Sequence, residues 1–263
     1  MSTLGTDRIG TEFEGMSVAV TGGGSGIGAV TADWFAQRGA RVACLDLLAP
    51  PDKGQVRGFV CDVRDDDSVR AAVASAVEWM GSLDVLINNA GIASLGTLET
   101  QTDADWQRVF DVNVFGMVRT SRAAMPWLRK SRNAAIVNTS SAVARIGLPN
   151  RTLYSATKGA ILSLTRAMAA DYISVPIRVN CVTPGVVDTP WQARAVAEAP
   201  DPEARLSQLR AMQPNGVLVT SMQVAAAIGY LASPASGATT GIDLPVDGGM
   251  QTVHLLSASL SNP

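Results

Sequence analysis

Five glycines fall within the eight residues Thr21-Gly22-Gly23-Gly24-Ser25-Gly26-Ile27-Gly28. The run joins a β-rich segment, 18–21, to a helical one, 26–38. Glycines at such a turn let the backbone bend sharply and approach a pyrophosphate, whose charge then faces the helix N-terminus. Glycine serves any tight loop, so the turn carries weight because a strand precedes it and a helix follows. Gly22, Gly26 and Gly28 follow G-x-x-x-G-x-G spacing, and no Gly-Lys-Ser/Thr follows, which excludes a Walker loop.

The alternation continues along the chain. Segments 41–46, 58–62, 85–88, 135–140 and 177–182 are short and rich in Val, Ile and Leu, as strands buried on both faces are. Helical stretches 66–80, 103–130 and 154–173 lie between them. This pattern predicts an α/β fold with a doubly wound parallel sheet, a Rossmann fold in three layers. Residues 1–14 read as a loose N-terminal arm and 15–263 as one domain. Within that domain 190–215, with Pro190, Pro200, Pro202 and Pro214, reads as an irregular substrate lid. The run from Thr240 to Gly249 reads as a last strand closed by a turn.

Composition narrows the function. Hydrophobic residues make up 47% and charged ones 17%, enough for a sizeable core. The net charge is −2 without a basic stripe, which argues against nucleic acid. No apolar stretch is long enough to span a bilayer and the N-terminus lacks a signal pattern, so the expectation is a cytoplasmic protein without a membrane partner. Cys44, Cys61 and Cys181 sit singly in apolar runs and read as buried thiols. The one histidine, His254, reads as a surface residue, so neither a metal site nor His-based acid–base chemistry is expected.

Asp46 ends the second strand, eighteen residues after Gly28. An acid there accepts the adenosine ribose hydroxyls and repels a ribose phosphate. No Lys or Arg flanks it, and Ser25 rather than a basic residue sits in the glycine turn, which favours NAD over NADP. Further on, Tyr154-Ser155-Ala156-Thr157-Lys158 places a phenol and an ammonium on one helical face. A neighbouring cation favours the phenolate and lowers the tyrosine pKa, the requirement for an acid–base tyrosine. The Tyr-x-x-x-Lys spacing alone is common on amphipathic helices.

With these motifs in order, the chain resembles the short-chain dehydrogenase/reductase (SDR) family, in its single-domain branch of about 250 residues. The resemblance rests on Thr21 to Gly28, Asp62-Val63, Asn88-Asn89-Ala90-Gly91, Asn113, Ser140-Ser141, Tyr154 to Lys158 and Pro184-Gly185. It implies that Gly22, Ser25, Gly26, Ile27 and Gly28 hold the cofactor phosphates and that Asp62 and Val63 hold the adenine. Asn89, Ala90 and Gly91 would line the cofactor, and Pro184, Gly185, Val187 and Thr189 the nicotinamide pocket. Ser141 would hydrogen-bond the substrate oxygen and Tyr154 would be the acid–base. Lys158 would hold the ribose and tune Tyr154, and Asn113 would anchor a relay water. A homotetramer is implied, through the two long helices and the last strand.

For the substrate, Arg151 lies between Ser141 and Tyr154 and is equally a carboxylate anchor or a structural ion-pair partner. Trp191 reads as a pocket cover, and Arg194, Arg205 and Arg210 in the lid read as a solvated face. The run Asn150-Arg151-x-x-Tyr154-Ser155, with Ala169-Ala170-Asp171-Tyr172 and Arg178-Val179-Asn180-Cys181-Val182, resembles a subgroup. It contains cytosolic 3-hydroxybutyrate and 2-keto-3-deoxy sugar acid dehydrogenases. The expectation is therefore an NAD-dependent dehydrogenase of a small hydroxy acid or sugar acid. A 3-oxoacyl thioester (acyl-carrier-protein) reductase is the alternative enzyme, and a non-catalytic NAD-binding scaffold or sensor the alternative class.

Overall fold

The computed structural model describes residues 11–255. Strand β1 (Ser17–Thr21) runs through the glycine turn into α1 (Gly26–Ala36), followed by β2 (Arg41–Asp46), β3 (Val56–Val60), α2 (Asp66–Met80) and β4 (Val85–Asn88). Then come α3 (Asp103–Phe110), α4 (Gly116–Leu128), β5 (Ala134–Thr139), α5 (Thr152–Asp171) and β6 (Ile177–Pro184). The rest is β7 (Val187–Asp188), α6 (Pro190–Ala197), α7 (Pro202–Ala211), β8 (Val219–Thr220), α8 (Ser221–Ala232) and β9 (Asp243–Val246).

Seven strands form one parallel sheet in the order β3-β2-β1-β4-β5-β6-β9. Strands β1, β4 and β5 are buried at every position, which explains why they read as unbroken apolar runs. The order reverses between β1 and β4, and a crevice opens there at the carboxyl ends of the strands. Helices α1 and α8 cover one face with Phe35, Ile228 and Leu231; α2, α4 and α5 cover the other with Val73, Leu128 and Met168. Trp34 of α1 lies on bare backbone of α8, where a Cβ at Gly229 would fall 2.2 Å from the indole.

Several expectations are corrected. The third strand is displaced to Val56–Val60, because the chain turns at Asp62, whose carboxylate binds its neighbour Arg64. The expected helix 103–130 is two helices joined by a π-helical turn, Asp111–Phe115, in which the Gly116 N–H donates to the Asp111 carbonyl five residues back. The lid is not irregular: Pro190 and Pro202 each occupy a first-turn position behind a capping residue, Thr189 or Asp201. Proline suits that position, where no backbone donor is needed. Helix α8, capped by the Thr220/Gln223 box, was not anticipated. Of the expected arm, residues 1–10 lie outside the described residues, and its end is anchored: Phe13 is fully buried against Trp34 and Phe35.

No helix among the described residues is long and apolar enough to cross a membrane. Cys44, Cys61 and Cys181 are buried and unbridged, and His254 is exposed.

Candidate active site

The crevice is built around the hydroxyl of Thr21. It accepts from the backbone N–H groups of Asn89 and Ala90, both at 3.0 Å, and so ties β1 to the segment leaving β4. The Asn89 amide returns two bonds, to the carbonyls of Thr21 (3.2 Å) and Gly22 (3.3 Å). The turn needs its glycines for separate reasons. Gly22 has φ of 65°, in the left-handed region, and a Cβ on Gly28 would lie 2.0 Å from the Gly22 carbonyl oxygen. The N-cap of α1, Ser25, makes no side-chain capping bond and no acid lies in the first turn, so the helix N-terminus stays open to an anion.

Asp46 reaches this turn from β2: its carboxylate accepts from the Gly24 N–H at 2.8 Å. Asp62 is less free than expected. Arg64 chelates its carboxylate at 3.0 and 2.7 Å, and that pairing holds its pKa below the usual range. Val63 is buried under α4, within 2.9 Å of where a Gly116 Cβ would stand. At the other end, Gly26 and Thr189 approach one another, a Gly26 Cβ lying 3.8 Å from the Thr189 side chain. Pro184 ends β6, Gly185 donates to the Val246 carbonyl, and Val187 forms the short β7–β8 pair. Gly185 is bare because Gln213, which sequence reading did not single out, is buried 2.7 Å from its Cβ direction.

The reactive groups converge beside this cradle. Lys158 is buried, donates to the Thr139 carbonyl oxygen at 2.9 Å, and has its pKa pulled down to about 8 by burial. Its nitrogen is 5.5 Å from the centre of the Tyr154 ring. Burial pushes the Tyr154 phenol above its ordinary pKa; the Arg151 guanidinium and the Ser141 hydroxyl beside it pull it back. The Arg151 guanidinium, which the Tyr-x-x-x-Lys spacing does not reveal, thus also acts on the phenol. Ser141 caps the short 3-10 turn Ala142–Ala144 in extended backbone.

Asn113 sits in the π turn and is fully buried. Its Oδ1 accepts from the Ile92 N–H (2.8 Å), and its Nδ2 donates to the Ile92 carbonyl (3.0 Å) and the Thr157 hydroxyl (3.1 Å). Both amide hydrogens are thus used in locking the loop after Gly91 to α5. Gly91 itself is bare between Asn113 and Lys158, at 3.3 and 3.7 Å from its Cβ direction. The open N-terminus of α1 and the close-packed glycine turn beside Asp46 suit the phosphates and ribose of a dinucleotide.

Sequence reading also missed the polar core behind the site. The Asn88 amide donates to Asn138 Oδ1 and Ser121, both at 2.9 Å, and accepts from Thr120 at 2.6 Å. Asn138 passes the chain on to Thr165 of α5 at 2.9 Å. Arg145, the other arginine between Ser141 and Tyr154, is engaged: its Nε donates to Asp243 at 2.6 Å, and Arg166 shares that carboxylate at 3.1 Å. Trp191, Arg194 and Arg210 are exposed, whereas Arg151 and Arg205 are partly buried.

Residues 22–251 match the family model described as Enoyl-(Acyl carrier protein) reductase. The cis-4-hydroxycyclohexanecarboxylate dehydrogenase of Sinomonas cyclohexanicum is 38% identical over 255 residues, covering 93% of this chain and 100% of that protein. A 3-oxoacyl-acyl-carrier-protein reductase of Thermotoga maritima is 35% identical over 248 residues, 90% of this chain and 98% of that one. Among solved structures, the ligand-free aldohexose dehydrogenase of Thermoplasma acidophilum has a TM-score of 0.88 at 34% identity, covering 97% of this chain and 99% of that chain.

Proposed function

This chain belongs to the short-chain dehydrogenase/reductase family of oxidoreductases acting on CH–OH groups, and from that premise we propose an NAD-dependent dehydrogenase of a secondary alcohol that carries an acid group. The substrate class is a small hydroxy acid or sugar acid. The observation that carries this reading is Arg151, partly buried one helical turn before Tyr154, without a carboxylate on it among the described residues. One relative is named for a hydroxycyclohexanecarboxylate, which agrees with an anchored acid group.

When bound, NAD supplies the hydride acceptor. The protein does the rest. The glycine turn and the open N-terminus of α1 receive the phosphates, and Asp46 receives the adenosine ribose. Lys158 would hold the nicotinamide ribose, while Val187 and Thr189 would border the nicotinamide. In the oxidative direction Tyr154, as phenolate, would take the proton of the substrate hydroxyl. Ser141 donates to the substrate oxygen through the transition state. Asn113 keeps the loop beside these groups in place, and Trp191 covers the pocket.

The test is NAD and NADP reduction across hydroxy acids, sugar acids and matched neutral alcohols. Preference for NAD, lost in Asp46→Ser, is expected together with preference for acids. A 3-oxoacyl thioester reductase, the activity for which the Thermotoga relative is named, would instead reduce such thioesters with NADPH. NADH binding without turnover in wild type, unchanged by Tyr154→Phe, would return the scaffold reading. We further propose a homotetramer through α4 and α5 and through the edge strand β9, a state light scattering reads directly.

A further inference from the structure

The lid leaves the sheet and returns to it at one place. Strand β6 ends at Pro184, and Gly185 and Val186 lead into β7 and the lid; after α7 the chain returns through Gln213 into β8. The two stalks run side by side, with Val187 paired to Val219 and Asp188 to Thr220. The Ser221 hydroxyl adds a bond to the Asp188 carbonyl at 3.2 Å. Just past the outgoing stalk, Thr189 caps α6 and lies against Gly26 of the glycine turn, 3.8 Å from its Cβ direction. The neck of the lid therefore abuts the glycine turn.

A ladder of two residues a side is marginal by itself. Gln213 reinforces it from within. This residue is 1% exposed, and its amide nitrogen donates to a carbonyl on each stalk, Val186 at 3.3 Å and Val217 at 2.6 Å. Both amide hydrogens are spent there, which fixes the orientation of the amide. Its oxygen is left against the bare Cα of Gly185, 2.7 Å from that residue's Cβ direction, and is buried without a donor among the described residues. An unmet buried acceptor is costly, and a methionine would fill much the same space without one. A glutamine kept at that cost is explained by its nitrogen, not by packing. Its backbone is fixed as well: the N–H donates to the Arg210 carbonyl at 3.0 Å, and the carbonyl accepts from Gly216 N–H at 2.8 Å.

We propose that Gln213 is a positioning residue for the nicotinamide end of the cofactor, its amide clasping the two stalks so that Val187 and Thr189 keep their place beside the glycine turn. Ser221, partly exposed, is a second and weaker tie across the same neck. This rests on the reading of the site as that of an NAD-dependent dehydrogenase. Gln213 acts through the backbone of residues 185–189 and not on the reacting atoms.

The full chain is tested as wild type, Gln213→Met and Ser221→Ala, by calorimetric titration with NADH and with ADP-ribose, which lacks the nicotinamide ring. A rate assay with NAD runs beside it on cis-4-hydroxycyclohexanecarboxylate, 3-hydroxybutyrate and 2-butanol. Gln213→Met is expected to weaken NADH about tenfold, the worth of about one or two hydrogen bonds, and to leave ADP-ribose within about twofold. Ser221→Ala should weaken NADH about threefold, with ADP-ribose again unchanged. A merely structural loss would weaken both ligands alike. Equal weakening of the two, or NADH affinity as in wild type, overturns the clasp. Where Gln213→Met fails to fold, Ser221→Ala decides by the same two readings. Gln213-dependent NADH binding without oxidation of any of the three alcohols would support the clasp and tell against the dehydrogenase reading. Wild type that turns over an alcohol but binds NADH no better than ADP-ribose would overturn the clasp and leave that reading standing.

Discussion

The Lys158 ammonium meets the Thr139 backbone carbonyl oxygen at 2.9 Å, inside the protein and without a carboxylate partner among the described residues. Burial lowers its pKa from 10.5 to about 8. Between about pH 8 and 10.5 the unfolded chain therefore binds a proton that the native chain has lost, and this group's contribution to stability rises with pH across that window. Below pH 8 the native state bears the full cost of a buried charge. Lys158→Met should be the more stable protein at pH 7, by up to about 3 kcal/mol, with the advantage shrinking as pH climbs to 10.5. Urea midpoints at pH 7, 9 and 10 check this; a constant offset between the two proteins would refute it.

Tyr154 titrates above its ordinary value because burial opposes the phenolate. If Tyr154 is the proposed acid–base, alcohol oxidation needs its deprotonated form, so log kcat for oxidation should climb with pH and carbonyl reduction should fall. Tyr154→Phe should lose at least about a thousandfold in turnover, consistent with removing an acid–base group, and keep NADH affinity. Arg151→Gln should move the rise of the oxidation profile to higher pH, since Arg151 is the cation that pulls the phenol back. A profile unmoved by Arg151→Gln would contradict the electrostatics described here.

Gly28→Ala would place a methyl 2.0 Å from the Gly22 carbonyl oxygen, so the turn must open. NADH affinity should drop by two orders of magnitude or so, and stability by about 1–3 kcal/mol, as overpacking at a rigid site does. Gly147→Ala meets nothing within 4 Å and serves as the control expected to change neither. Fluorescence titration of NADH with both variants decides it.

Asn138 bridges Asn88 and Thr165 in the buried network between β4, β5 and α5. Asn138→Ala should cost about 2–4 kcal/mol, since it leaves two buried polar groups short of a partner as well as a cavity. A double-mutant cycle with Asn88→Ala should show coupling above about 1 kcal/mol. Additive effects would mean that the two amides act independently.

The parts legible in the sequence share a cause. Strands β1, β2 and β4 are apolar on both faces because both faces are buried, and the glycine turn is dense because bare backbone is needed at several positions at once. The order of Ser141, Tyr154 and Lys158 was readable through family likeness more than through spacing. Helix α8 was not: Val224-Ala225-Ala226-Ala227-Ile228 is apolar nearly all round, and its exposed side carries Met222, Ala226 and Tyr230 in place of charges, so no polar stripe marks its period. The π turn hid because a single-residue widening leaves the four-residue spacing of the buried positions Val109, Asn113 and Met117 almost intact. Arg145 could not be assigned, since its partner Asp243 is 98 residues away. The lid helices hid behind prolines that begin helices as readily as they end them.

The contact between Trp34 and Gly229 has a mechanical meaning. Helix α1 is a rod about 16 Å long, with its ring-bearing end seated against α8 and its other end forming the mouth of the glycine turn. Any side chain at 229 meets the tip of the indole, so either the ring or the helix that carries it must give way. The absence of a Cβ at 229 therefore sets how closely α1 and α8 approach one another.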